Sequence, residues 1–178
     1  MRKLKNEELN RLSADEYKFA EKTPIIIVLD NVRSALNVGS IFRTCDAFRI
    51  EALYLCGITG KPPDREINKT ALGATETVEW KYFPSALQAF EELRKIKTKI
   101  FAIEQTENSI TLDKFLPRPN QKVAVVFGNE VKGVEQEVID KCDGVIEIPQ
   151  TGMKHSLNIA VSAGIVIWEL YGKSKSKK

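Results

Sequence analysis

Three short runs of this sequence bring amides, carboxylates, an arginine and glycines together at spacings that suit ligand chemistry. Asn37-Val-Gly-Ser-Ile-Phe-Arg43 opens a helical pattern, and its Gly39 lets another backbone come close. Asn37 and Arg43 are separated on a straight helix, so both reach one ligand only if Asn37 lies in the turn before it. The plainer reading of the pair is an N-cap and a solvated helix residue. Phe127-Gly-Asn-Glu-Val-Lys-Gly133 follows an apolar run. There Gly128 would leave main-chain groups free for a flat ligand. Glu130 would start the next helix, where a negative charge is favourable in any case. Ile148-Pro-Gln-Thr-Gly-Met-Lys-His-Ser-Leu-Asn158 contains Ser156, a candidate cap for the last helix. Asn158 then falls two residues into that helix, where asparagine is a poor interior residue. Ligand contact and a satisfied first-turn amide both account for it. His155 reads as a solvated loop residue rather than a base.

The chemistry open to such a set is hydrogen bonding, charge and orientation. No G-x-G-x-x-G follows a strand-like run, which leaves a conventional dinucleotide or Rossmann-type methyltransferase site unsupported. A P-loop is excluded and an α/β-hydrolase elbow is missing. Cys45, Cys56 and Cys142 form no C-x-x-C and meet a single histidine, so neither a disulfide framework nor a metal site is expected.

The elements that must position these runs alternate. Residues 25–29 read as a strand buried on both faces. A helix follows through Val38, Ile41, Phe42, Cys45 and Phe48, then a strand over 52–56, a loop over 57–69 and a short strand over 77–80. A helix opened by Pro84 and Ser85 carries Leu87, Phe90 and Leu93. Strands are predicted over 99–103, 123–127 and 145–148, and helices over 134–142 and 156–170. The class is therefore α/β, a mainly parallel sheet with helices on both faces. In such a sheet the polar junctions after four strands share the carboxyl edge, where ligands bind. These are Asp30-Asn31, Glu104 to Glu107, Gly128 to Glu130, and Pro149 to Ser156. Strand-to-helix loops are polar in any protein, but four together make a pocket.

The 178 residues, 43% apolar and 29% charged, fit one domain. Residues 1–22 read as a polar helix or arm, 23–172 as a single domain and 173–178 as a basic disordered tail. That tail either adds salt-dependent affinity for a nucleic acid or merely solubilises the end. A net charge of +3 permits a nucleic-acid partner without arguing for one. The charged N-terminus does not read as a secretory signal, and no apolar run approaches the ~20 residues of a membrane span. A cytoplasmic location with no membrane partner is expected.

In this order the three runs resemble the SpoU (TrmH-like) branch of the SPOUT superfamily, RNA ribose 2′-O-methyltransferases that use S-adenosyl-L-methionine (AdoMet). The likeness covers residues 24 to about 171. Asn37-x-Gly-x-x-x-Arg43, Phe127-Gly-Asn-Glu130 with Gly133, and Ile148-Pro149 followed by Ser156-Leu-Asn158 look like the family's three motifs. The resemblance implies a C-terminal trefoil knot, a homodimer with the site at or near the subunit interface, and AdoMet held bent in the knot loops. It implies cofactor contacts from Glu104, Gly128, Ile148, Ser156 and Leu157, largely through the backbone. Arg43 would activate the ribose hydroxyl, with Asn37, Glu130, Ser156 and Asn158 positioning it. An arginine stays cationic and is an odd base, so a grip on an RNA phosphate is a second reading of Arg43. RNA contact is expected from Arg33, from Lys61, Arg65 and Lys69 in the loop over 61–69, and from the polar N-terminal arm, with tRNA favoured over rRNA. The alternatives are a catalytically inactive RNA-binding module of the same fold and a small-molecule α/β enzyme such as a phosphate-ester hydrolase.

Overall fold

A computed structural model describes residues 1–153 and 156–175. The run expected as a doubly buried strand is the middle of the sheet. β1 (Thr23–Asp30) keeps Ile27, Val28 and Leu29 wholly out of solvent, as a parallel strand covered on both faces requires. After a 3₁₀ turn (Asn6–Leu9), α1 (Ala14–Phe19) and β1 come α2 (Ala35–Ala47), β2 (Ile50–Cys56), α3 (Arg65–Ala71), α4 (Ala74–Thr77), β3 (Trp80–Phe83) and α5 (Ala86–Lys95). β4 (Lys99–Ile103), β5 (Ile110–Thr111), β6 (Val123–Phe127), α6 (Gln136–Ile139), β7 (Gly144–Glu147) and α7 (Ile159–Lys175) complete the order. The strands lie in the order β3-β2-β1-β6-β4-β7-β5, and every pairing is parallel.

Strand alternation sorts the core into two layers. Ile25, Ile27 and Leu29 join Leu53, Val125 and Phe127 on one face, where α2, α3 and α7 bring Phe42, Ile67 and Ile167 onto them. Ile26 and Val28 join Tyr54 and Val126 on the other, against Ala89, Phe90 and Leu93 of α5 and Val138 of α6. Each fully buried Ile, Leu or Val contributes about 1.5–3 kcal/mol.

The differences from the sequence reading have local causes. The expected loop over 57–69 is half helix, because the Asp64 carboxylate accepts the N–H groups of Glu66 (2.8 Å) and Ile67 (2.9 Å) and so starts α3. The expected strand over 77–80 moves to β3. Thr77 ends α4 instead, its hydroxyl donating to Asp46 (2.6 Å). The helix expected over 134–142 shrinks to α6, since Gly133 takes a φ of 70° and Glu104 accepts the N–H of Val134 at 3.1 Å. β5 is too short to announce itself. α7 begins at Ile159 rather than Ser156 and continues past the expected start of a disordered tail. Lys173 anchors it by donating to the carbonyls of Leu112 (2.6 Å) and Asp113 (3.0 Å) and pairing with Glu169 (2.9 Å). His155 and residues 176–178 lie outside the described residues.

The N-terminal arm is ordered by a capping box, in which the Ser13 N–H donates to Glu16 (2.7 Å) and the Glu16 N–H to the Ser13 hydroxyl (3.3 Å). Its Tyr17 is buried. Gly39 does serve a close backbone approach, but the approaching backbone is that of α3. A Cβ there would overlap the Ile67 carbonyl and the Thr70 hydroxyl. Gly39→Ala should therefore destabilise the protein by roughly 1–3 kcal/mol, read from the shift of its urea midpoint at unchanged slope.

Candidate active site

The carboxyl ends of β1, β6, β4 and β7 stand side by side, and the three sequence runs meet there. Glu130 folds back onto the entry of α2. Its Oε2 accepts the N–H of Arg33 (3.0 Å), and its Oε1 accepts the N–H of Ser34 (3.0 Å) and the Asn37 amide (3.3 Å). The negative charge does sit at a helix N-terminus, but that of α2 rather than of the helix that follows it in sequence. Burial alone would raise its pKa. The bonds from Arg33, Ser34 and Asn37 outweigh burial and hold the carboxyl below its ordinary value, so it is an anion at neutral pH and a poor proton acceptor.

From Glu130 a relay runs through both asparagines. The Asn158 Nδ2 donates to the Asn37 Oδ1 at 3.2 Å, and the Asn158 Oδ1 accepts the N–H groups of Ala160 (2.9 Å) and Val161 (3.4 Å). Asn158 is thus the cap of α7, not an interior residue, and Ser156 is not the cap. The directions are forced. A carboxylate only accepts and a helix N–H only donates, so each amide has one orientation that satisfies both neighbours.

A second clasp lies beside the first. Asn31, in the left-handed region at φ 56°, accepts the Asn129 amide on its carbonyl (2.9 Å). The Asn129 side chain also accepts the N–H groups of Val131 (2.9 Å) and Lys132 (3.2 Å), and its main chain pairs with Gly133 in both directions. The closed loop leaves no room for a Cβ at Gly128, which would meet the backbone of Gly133 and Val134. Gly128 thus first serves its own loop. Glu104 spends its carboxylate on the N–H groups of Val134 (3.1 Å) and Gln105 (3.0 Å). The sequence places Asn31 and Asn129 among the polar junctions of the carboxyl edge but gives neither a role. Their one signal is an asparagine just past each of two strand-like runs.

Among the described residues, the main-chain groups of Ile148, Ser156 and Leu157 take no hydrogen bond within the chain. Ile148 is half-buried, whereas Ser156 and Leu157 are exposed. Unpaired amides and carbonyls flanked by Ile148 and Leu157 suit a flat, partly apolar ligand with hydrogen-bonding edges, so these residues fit AdoMet.

Arg43 stands apart. It is exposed on α2, about 120° around the axis from Asn37, and one chain does not bring the two together. Arg33 is exposed beside Glu130. Arg65 is exposed at the start of α3, Lys69 pairs with Glu66 on the same helix (2.6 Å), and the Lys61 ammonium lies 4.1 Å from the Tyr82 ring centre.

Residues 24–168 match the model of the SpoU rRNA Methylase family. A tRNA (guanosine(18)-2′-O)-methyltransferase of Thermus thermophilus is 29% identical over 162 residues, 91% of this chain and 81% of the relative. The crystal structure of the A. aeolicus TrmH/SpoU tRNA modifying enzyme superposes with a TM-score of 0.80 at 26% identity, covering 90% of this chain and 81% of the other. That of an AdoMet-bound rRNA methyltransferase from Sinorhizobium meliloti gives 0.77 at 25% identity, covering 90% of this chain and 60% of the other.

Under the clasp, Asp30 is 3% exposed and accepts the Asn31 amide at 3.0 Å. Burial, with a smaller effect of Glu135, raises its pKa from 3.8 to about 6. The folded state therefore holds this proton more tightly than the unfolded chain, and stability falls as pH rises from about 4 through about 6. Asp30→Asn keeps the acceptor for Asn31 and removes the charge. The variant should be more stable than the parent by roughly 1–2 kcal/mol at pH 8, the gap closing near pH 4, as urea denaturation at both pH values would show.

Proposed function

This chain belongs to the SpoU rRNA methylase family, and from that premise we propose that it transfers a methyl group from AdoMet to a ribose 2′-hydroxyl of RNA. The observation that carries the reading is the Glu130–Asn37–Asn158 relay, which joins one residue from each of the three runs beside the unpaired main chain of Ile148, Ser156 and Leu157. AdoMet, when bound, supplies a methyl carbon on a positively charged sulfur.

The chain's part is to hold and orient. Backbone groups of Gly128, Ile148, Ser156 and Leu157 would hold the cofactor, while Glu104 fixes the loop that Gly128 belongs to. The relay locks the entries of α2 and α7 against the β6 loop, so the walls keep their spacing while the ribose oxygen is held in line with the methyl carbon. With the cofactor bound, the new C–O bond would form as the carbon–sulfur bond breaks, leaving a neutral thioether, and the hydroxyl proton would pass to water. Arg43 grips the adjoining phosphate and turns the hydroxyl toward the carbon, a task for a fixed planar cation rather than a base. Arg33, Lys61 and Arg65 extend the RNA contact. Transfer RNA is the favoured substrate, supported by the 81% coverage of the Thermus thermophilus enzyme, and the cytoplasm is the working compartment.

Because Arg43 and the relay lie apart in one chain, the complete site needs a second copy. Support comes from α7, whose outer face exposes Val161, Ile165 and Trp168 while its inner face buries Ile159, Ala163 and Ile167. The second stripe serves as the face of a homodimer. The C-terminal part is the family's trefoil knot. In support, β6 enters between β1 and β4, and β7 between β4 and β5, all laid down earlier in the chain.

Incubation with labelled AdoMet and separate pools of unmodified tRNA and rRNA, followed by nucleoside analysis, tests the reaction. A 2′-O-methylnucleoside should form, and Arg43→Ala should lower the rate by about 10²–10⁴-fold with AdoMet affinity unchanged. Absence of AdoMet binding would overturn the reading in favour of an inactive RNA-binding module. Ile165→Glu should give a monomer by light scattering, with transfer lost.

A further inference from the structure

A groove of about 910 Å³ runs between the N-terminal arm, the second half of α2 and the turn joining α3 to α4. Arg11, Arg43 and Arg49 line it, together with Asp46 and Tyr17. Among the described residues, none of the three guanidinium groups takes part in an ion pair or a side-chain hydrogen bond. Lysines elsewhere on the surface do: Lys69 with Glu66, Lys81 with Glu92, Lys99 with Asp143 and Lys122 with Glu51. Asp46, the groove's acid, accepts the Thr77 hydroxyl at 2.6 Å.

Tyr17 supplies an independent observation. The residue is 6% exposed, and its hydroxyl is buried without a hydrogen-bond partner. An unpaired buried hydroxyl costs about 1–3 kcal/mol, which a phenylalanine would avoid with the same ring. Burial, reinforced by Asp46, pushes the phenol pKa up, so the group is a donor at neutral pH. The Lys22 ammonium, 3.4 Å from the ring centre, adds positive charge beside it.

We infer that this groove binds the sugar–phosphate backbone of the substrate RNA, with Arg11, Arg49 and the Tyr17 hydroxyl donating to phosphate oxygens next to the nucleotide that Arg43 holds. The inference rests on the proposed RNA methyl transfer and extends it to the N-terminal arm. Guanidinium forks match phosphate oxygens in pairs, and a row of them without acidic partners suits a run of phosphates better than one small anion. Leu9, Leu12 and Leu72, exposed along the same groove, offer apolar contact to the sugars.

The test is filter binding of an unmodified tRNA transcript pool across a salt series, with AdoMet affinity measured separately by calorimetry. Arg11→Ala combined with Arg49→Ala should weaken RNA binding at least tenfold. It should also flatten the dependence of log K on log salt by about 0.7 for each phosphate no longer neutralised, as for single strands. Arg11→Lys with Arg49→Lys should keep most of the salt slope. Tyr17→Phe should weaken binding several-fold at an unchanged slope, since it removes a neutral donor. AdoMet affinity should hold throughout. Wild-type affinity and slope in the double alanine variant would overturn the inference. So would a switch of that variant to monomer by light scattering, which would give the groove to a second copy of the chain. Loss of RNA affinity in the variants, with no AdoMet binding by the wild type, would support the groove and sink the methyl-transfer reading.

Discussion

The carboxylate of Glu130 is the constraint on which the site depends. It stands 97 residues from Arg33 in sequence, yet it satisfies the first N–H groups at the entry of α2 and turns the Asn37 amide toward itself. Every later choice in the relay follows from its inability to donate. Asn37 must offer its carbonyl oxygen to Asn158, and Asn158 must offer its own to α7. One anion thereby sets the hydrogen-bond direction across 121 further residues of sequence separation between Asn37 and Asn158. Bonds to a charged group are worth about 1.5–3 kcal/mol each, whereas a neutral amide pair is worth nearer 1 kcal/mol. The relay is therefore strongest at its carboxylate end, where the loop after β6 would otherwise be free to swing.

The surrounding polar contacts repeat the same logic at smaller scale. Asn129 closes its own loop and ties it to β1 through the Asn31 carbonyl, while Glu104 holds the far side of that loop. Glycine is needed where these clasps leave no space, at Gly128 against the loop backbone and at Gly133 against Glu104. Rigidity at the sheet edge thus comes from side chains reaching main chain. The main chain of Ile148 and Leu157 is left to recognise something else.

Much of this is readable from residue order, and the unreadable part has a physical reason. β1, α2, α5, β4 and β6 follow from apolar runs and periodicity, because burial on two faces or one stripe writes itself into the sequence. The carboxyl-edge location of the polar junctions follows from parallel topology alone. The partner of Glu130 does not, since nothing local announces a bond to Arg33 across 97 residues. The place of Asn158 is hidden for a related reason. Its capping role depends on where α7 starts, and the apolar run leaves that start open by three residues. α3 is hidden because seven residues with Ile67 and Ala71 buried carry too short a pattern to stand out from a polar stretch. The split between Asn37 and Arg43 is legible as a difficulty of helical spacing.

The strand order has a consequence for how the molecule is made. β2 and β3 follow β1 promptly, but the other edge of β1 pairs with β6, which spans residues 123–127. A nascent chain therefore carries the apolar edge of Ile25 to Leu29 open while nearly a hundred further residues are synthesised. Pairings of such long sequence separation fold slowly and expose strand edges meanwhile. The loop that bears Glu130 is reached only after that wait, and Asn158 later still. The same late closure that leaves a strand edge exposed during synthesis ensures that no partly folded form carries the assembled relay, so the relay and the fold are completed together.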